Sequence, residues 1–187
     1  MKIGIIKKLT GSLLAFVFLA AVTACFAEDL KTEVDKAIEV FNKTDPTLKD
    51  LFQRSAGYIV FPSVGRGGLV FGGKHGKGLA FQKGKLIGEV TLSEFNFGAQ
   101  IGGASYYELL FLEMEQNVTD LKQNKTTISA QVNAIAAAEG AARSAKFEQG
   151  IMVFSIPRTG LMAQATIGGQ KLEFEPIYEA PKQGTKK

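Results

Sequence analysis

The chain has 187 residues, with 22 Lys and Arg against 18 Asp and Glu, one cysteine, one histidine and no tryptophan. A single cysteine excludes an internal disulfide and a cysteine-based zinc cluster, and a lone histidine excludes a multi-histidine metal site. The formal charge of +4 does not mark a nucleic-acid binder: three lysines lie near the N-terminus, three more lie in a polar tail over 182–187, and residues 25–181 hold 16 basic and 18 acidic residues.

Residues 1–24 read as a signal peptide. Lys2, Lys7 and Lys8 precede an apolar run from Leu13 to Val22, which is too short for a permanent membrane span. Val22-Thr23-Ala24-Cys25 matches a lipobox, in which the Cys25 thiol takes diacylglycerol and the chain is cut before it. Ordinary signal-peptidase cleavage after Ala27 fits the same residues and releases a protein starting near Glu28. A retained N-terminal anchor is the third route. Phe26 is not an acidic inner-membrane retention signal, so a lipidated form is expected at the outer membrane. Export to the periplasm or outer membrane is the expected location.

Leu30, Val34, Ala37, Ile38 and Phe41 recur at helical spacing among charged residues, predicting an amphipathic helix over 28–44. Its apolar stripe suits either the domain core or a membrane surface. Asp45-Pro46 supplies an N-cap and a first-turn proline for a short second helix carrying Leu48, Leu51 and Phe52.

From Ala56 the texture changes. Residues 56–103 contain 13 glycines among Val, Ile, Phe and Leu, a composition that suits strands and tight turns rather than helices. Strands are expected near 57–61, 67–73, 77–82, 85–91, 93–102 and 105–113. The expected turns are Pro62 to Arg66, Lys74-His75-Gly76, Lys83-Gly84 and Gly102-Gly103. Asn117 to Lys125 reads as a polar connection. Alternation over 126–136 favours a strand, and Ala137 to Lys146 a short helix. Strands over 150–156, 161–167 and 170–177 follow, with turns at Pro157 to Gly160 and Gly168-Gly169. The fold class is therefore α+β: a β-rich single domain over 25–181, with a curved antiparallel or barrel-like sheet and N-terminal amphipathic helices.

Catalytic patterns are not met. Gly68 to His75 nearly matches a phosphate-binding loop but lacks the Ser or Thr after Lys74, and no helix follows. Gly65 and Gly67 are followed by Val70 where a dinucleotide-binding fingerprint needs its third glycine. Gly103-Ala104-Ser105 does not continue into a nucleophile elbow. The run Glu108, Glu113, Glu115 and Asp120 reads as a solvated acidic face. Nothing assembles a nucleophile, base and oxyanion donors, so no enzyme, cofactor or metal is expected.

The segment Ala56-Gly57-Tyr58-Ile59-Val60-Phe61-Pro62-Ser63-Val64, followed by Gly65 to Gly73 and Gly76-Lys77-Gly78, resembles the SYLF domain. Phe97 to Gly103, the apolar strand from Tyr106 to Phe111, Phe154-Ser155 and Thr159 to Ala163 continue the resemblance over roughly residues 30–176. The chain departs from the pattern in its alanine-rich stretch at Asn133 to Gly140, at Met162 and in lacking tryptophan. The resemblance implies a compact domain that binds phospholipid headgroups or membranes; some eukaryotic members are described as actin-binding. An exported protein does not meet actin, so only membrane or phospholipid association carries over. A basic cluster at Arg66, Lys74, His75 and Lys77, beside exposed glycine N–H groups, is the candidate headgroup site. The alternative is a periplasmic structural module that binds an envelope protein through an edge strand.

Overall fold

A computed structural model describes residues 29–68, 71–97, 100–129, 132, 134–164 and 169–177. The signal segment 1–24, Cys25, Gly168 and the tail 182–187 lie outside the described residues. Two helices come first, α1 over 29–44 and α2 at Leu48–Arg54. Four long strands follow: β1 Gly57–Gly68, β2 Phe71–Gln82, β3 Lys85–Phe97 and β4 Gln100–Leu112. Then come α3 Glu115–Lys122, β5 Thr127–Ile128, β6 Ala134–Ala136, α4 Ala141–Ser144, β7 Ile151–Gln164 and β8 Gln170–Pro176. The α+β reading holds.

The strands form one sheet in the order β5-β8-β3-β2-β1-β4-β7-β6. Chain length alone requires it to curl. At roughly 4.8 Å per strand spacing, the outer strands of a flat eight-stranded sheet stand about 33 Å apart. Yet Ile128, on one edge, is joined to Ala134, on the other, by residues 129–133 alone. Six steps of chain reach only about 20 Å fully extended. The sheet is therefore an open half-barrel whose two edges are tied by one short segment. All pairings are antiparallel except β6 with β7, which is parallel, so the expected antiparallel sheet is corrected to a mixed one.

Apolar side chains fill both faces in the half of the sheet near α2. The concave face carries Ile59, Phe61, Val90, Leu92, Leu110 and Val153, closed by Val118 and Leu121 of α3 and by Ile128. The convex face carries Val60, Leu79, Leu109, Phe111 and Phe154 beneath Val34, Ala37 and Phe41 of α1 and Leu48 and Leu51 of α2. The apolar stripe of α1 is thus spent on the core: Val34, Ala37 and Phe41 have no exposed surface. Asp45 fixes the helix junction. Its carboxylate accepts the Thr47 N–H and hydroxyl, and also the Gly140 and Ala142 N–H groups at the start of α4. Helix α2 begins at Leu48, later than Asp45-Pro46 suggests, with Thr47 as its N-cap.

The strand count was overestimated because glycine-rich stretches are strand interior, not turns. Pro62 to Arg66 lies in β1, Lys74 to Gly76 in β2, Gly102-Gly103 in β4 and Pro157 to Gly160 in β7. Two of these sites are bulges, where register shifts between Val60 and Ser63 and opposite Ser105 and Tyr106. Glycine serves close approach instead: a Cβ on Gly76 would sit 2.9 Å from the Ser63 carbonyl oxygen, and one on Gly78 would strike Val60 and Phe61. Lys83-Gly84 is the turn expected there, with φ of 50° and 75°. The connection at 117–125 is mostly α3, and the strand expected over 126–136 is two short strands on opposite edges. The β8 edge is blocked by Asn124, whose amide side chain both accepts the Phe174 N–H and donates to its carbonyl.

Candidate functional site

Strand alternation decides where the four basic residues go. In β2, Lys74 shares the concave face with Ala80, whereas His75 and Lys77 point to the convex side with Leu79. Arg66 is the register partner of Lys74, and Lys74 is the register partner of Glu94 on β3. Arg66 and Lys74 therefore meet inside the half-barrel, and His75 and Lys77 stand outside it. The expected single cluster in a solvated turn does not form.

The interior group is an ion-pair network. Arg66 Nη2 lies 2.8 Å from Glu94 Oε1, and Lys74 Nζ lies 2.6 Å from Glu108 Oε2 and 3.8 Å from Glu94 Oε2. The Lys74 ammonium also sits 5.4 Å from the centroid of the Tyr106 ring. Side-chain exposure is 3% for Lys74, 5% for Glu94 and 0% for Glu108. Glu108 is thus a buried charge partner, correcting its reading as part of a solvated acidic face; Glu113 and Glu115 are exposed as expected. Burial pushes the Glu108 carboxyl above the ordinary carboxylate range, and the Lys74 charge and hydrogen bond only partly offset it. Burial, followed by the Glu108 charge, pushes the Tyr106 hydroxyl well above its usual value. Glu108 Oε1, Arg66 Nε and Gln170 Oε1 are buried without a protein hydrogen-bond partner, so the layer is polar but incompletely satisfied.

Outside the barrel, Lys77 Nζ is 2.7 Å from Glu89 Oε1, and the hydrogen bond and charge of that carboxylate raise the lysine's pKa. His75 is exposed. Three of the four basic candidates therefore already hold a carboxylate. Glu94, Tyr106 and Glu108 are the members of the interior layer that the sequence reading missed. The signal is alternation carried through the glycines: Lys74 keeps step with Gly76, Gly78 and Ala80, Glu94 with Val90 and Leu92, and Glu108 with Tyr106 and Leu110.

Beyond this layer lies a different region. Gly68 pairs with Gly72, Phe71 with Phe97, Gly67 with Gly103 and Gln100 with Gln164, so the ends of β1, β3 and β7 and the starts of β2 and β4 gather at one end of the sheet. The sequence over 67–73, 95–107 and 159–170 contains no Lys, Arg, His, Asp or Glu. Arg66, Lys74, Glu94, Glu108, Arg158 and Lys171 flank these three stretches. Among the described residues there is no group of three or more His, Cys, Asp or Glu able to hold a metal, and no helix is long and apolar enough to cross a membrane.

No family model matches the chain. A curated relative, Beta cell expansion factor A of Aeromonas veronii, is 29% identical to it over 145 residues, covering 76% of this chain and 54% of the relative. The chain thus spans about half the length of the curated relative it matches.

Proposed function

We propose that this is an exported cell-envelope protein that binds phospholipid surfaces through the uncharged end of its half-barrel, without catalysis. The observation that carries the reading is the convergence of three charge-free, glycine-rich and apolar stretches at one end of the sheet. Apolar surface transferred from water into a bilayer gains about 25 cal/mol per Å², and charge there would oppose entry. The SYLF-domain resemblance supports the same reading. Arg66 and Lys74 serve the interior network, which leaves His75 and Lys77 to meet anionic headgroups. Each such cation contributes only about 1 kcal/mol near an anionic surface, and Lys77 is already paired with Glu89. Binding should therefore depend more on the apolar end than on salt.

Co-sedimentation with vesicles of phosphatidylethanolamine and phosphatidylglycerol tests this at low and high salt. Binding at both is expected. It should be lost in Val70→Asp/Ala99→Asp, which places charges in the β1–β2 and β3–β4 connections, and kept in His75→Ala/Lys77→Ala. The reading fails if the wild type does not bind, or if the charged double variant binds as well as the wild type. Export rests on Lys2, Lys7 and Lys8 ahead of the apolar run from Leu13 to Val22. The intact mass of protein recovered from its host distinguishes acylated Cys25 from a chain starting at Glu28; an uncut chain refutes cleavage.

A further inference from the structure

Antiparallel register partners share one face of a sheet. The register therefore lays a single row across six strands: Lys171, Ser93, His75, Gly65, Ser105 and Thr159. His75 stands on the convex face, so the row does too. Each of the six is exposed or half-buried, and none is a carboxylate. Tyr107, two residues along β4 from Ser105, still meets Phe41 of α1, with ring centroids 6.5 Å apart. From the row to the end of each long strand is a short distance, from three residues in β1 (Gly65 to Gly68) to five in β7 (Thr159 to Gln164). At about 3.3 Å per residue that is about 10–17 Å, close to the hydrocarbon depth of one leaflet, about 15 Å.

Arg158 stands beside this row. Its guanidinium carbon lies 4.7 Å from the Tyr107 ring centroid, and Nη1 donates to the Pro62 carbonyl oxygen at 2.7 Å. These two contacts hold the guanidinium across β4, from β7 to β1. The residue is exposed and has no ion pair among the described residues. Lys77 and Lys171 on the same face are each held by a carboxylate, Glu89 and Glu173. Next to Arg158, the Ser105 and Thr159 hydroxyls lie 2.7 Å apart. One donates to the other, which keeps its own proton to donate onward.

We propose that the uncharged end enters one leaflet only, and that Arg158 with the Ser105–Thr159 hydroxyl pair binds a phospholipid phosphodiester at the boundary between headgroups and acyl chains. This rests on the bilayer reading and adds its depth and its headgroup contact. A row that runs across the strands lies at one depth when the strands enter end-on, and the strand lengths beyond it match one leaflet. A guanidinium pairs with phosphate oxygens through parallel N–H bonds. One already held by a ring and a carbonyl has less freedom to lose on binding. Neutral and anionic phospholipids share the phosphodiester, so the site recognises the phosphate itself and not the net charge of the membrane.

Co-sedimentation of the mature chain tests this with two kinds of vesicle, phosphatidylcholine alone and phosphatidylethanolamine with phosphatidylglycerol. The wild type should bind both. Arg158→Gln should weaken binding to both about tenfold, and Ser105→Ala/Thr159→Ala about threefold. Circular dichroism checks folding; the hydroxyl variant leaves the Arg158 contacts in place and carries the test if Arg158→Gln does not fold. An arginine acting only by diffuse attraction would matter on the anionic vesicles alone. That result, or wild-type binding to phosphatidylcholine by the folded variants, overturns the assignment. Inorganic phosphate, set against chloride at the same ionic strength, should not displace the protein from vesicles; displacement marks a site for the free anion and overturns it too. Depth is read by tryptophan, which the chain lacks. Ser93→Trp should be quenched more by bromines near the carbonyl end of the lipid chains than near the methyl end, and Ala99→Trp the reverse. Quenching of Ser93→Trp mainly from the methyl end, or not at all, refutes the one-leaflet depth. If the wild type binds neither vesicle, the bilayer reading fails and this assignment with it. If binding is lost in Val70→Asp/Ala99→Asp but unchanged in both site variants, this assignment fails alone.

Discussion

The interior ion pair makes a quantitative prediction. Glu108 is fully buried, its nearest cation is Lys74 at 2.6 Å, and Lys74 has a second carboxylate, Glu94, at 3.8 Å. Removing one member of a buried pair costs about 3–5 kcal/mol because the other charge is left without compensation. The two singles should differ. Lys74→Met takes the close cation from Glu108, and the remaining Arg66 is committed to Glu94. Glu108→Met leaves Lys74 beside Glu94, so it should fall at or below the low end of that range, about 3 kcal/mol. A whole domain is stable by only about 5–15 kcal/mol, so Lys74→Met removes a large share. The double variant Lys74→Met/Glu108→Leu removes both charges of the close pair, leaves Arg66 with Glu94, and should lie near wild type or up to about 4 kcal/mol above it.

Urea unfolding of the four proteins at pH 7, followed by far-ultraviolet circular dichroism, closes the double-mutant cycle. The coupling energy should be several kcal/mol and should change little between low and high salt, since buried pairs are weakly screened. If the two single effects add to within about 0.5 kcal/mol, the side chains act independently and the network described here is wrong.

Stability should also respond to pH with opposite signs at two carboxylates. The folded state raises Glu108 above its ordinary value of 4.5; its contribution is fully present below that value and is lost as pH rises through the folded pKa. Glu108→Gln should flatten that limb of a pH–stability curve measured by chemical denaturation. Asp45 behaves the other way: burial pushes its pKa up, but hydrogen bonds from Thr47, Ala142 and Gly140 outweigh it and hold the carboxyl below 3.8. Its contribution is present above 3.8 and is lost as pH falls through the folded value. Asp45→Ala should lower stability by about 2–3 kcal/mol at pH 7, with the deficit shrinking in acid. Phe41→Ala should cost about 3–5 kcal/mol in the same assay, because its ring is wholly enclosed between α1 and the sheet. A loss below about 1 kcal/mol would instead mean that α1 detaches readily. Gly78→Ala should lower the urea midpoint by about 1–3 kcal/mol in equivalent stability, since its Cβ would meet Val60 and Phe61.

The sequence made some of this legible for identifiable reasons. The stripe Leu30, Val34, Ala37, Ile38 and Phe41 has a helical period over more than three turns, and α1 lies there. The strands expected over 57–61, 77–82, 85–91 and 105–113 carry bulky side chains that announce their burial, and β1 to β4 run through them. Legibility failed where glycine replaced those side chains. A glycine has the same identity whether it makes a turn or admits a neighbouring strand, and only the sheet's curvature decides between them. Gly76 therefore looks like a turn residue but, with Gly78, marks where the backbone of β1 comes close against β2. Helix α3 was missed because only Val118 and Leu121 are buried on it, too few to outweigh the polar residues from Glu115 to Lys122. The ionic layer was missed by the same route as the turns: once a turn is placed at Lys74, its alternation with Ala80 is broken, and the meeting with Glu94 and Glu108 is hidden.

That layer also explains how one sheet carries two unlike halves. On one side of it the strands are covered on both faces, by helices outside and by α3 with β5 inside, and their apolar side chains supply the driving force for folding. On the other side the sequence is glycine-rich and free of charge. Register weakens in flat or glycine-rich strands because little penalises a slip. Ion pairs that reach across an intervening strand, Arg66 on β1 to Glu94 on β3 and Lys74 on β2 to Glu108 on β4, penalise it strongly: sliding β2 by one residue along β1 would move Lys74 from the concave face to the convex face and leave Glu108 buried without its cation. Arg66, Lys74, Glu94 and Glu108 join β1, β2, β3 and β4, the four long strands that run into the glycine-rich end. Buried ion pairs are weak contributors to net stability, so their value here lies in alignment. They fix four strands immediately before the glycine-rich, uncharged stretch, and that stretch is the one proposed to meet lipid.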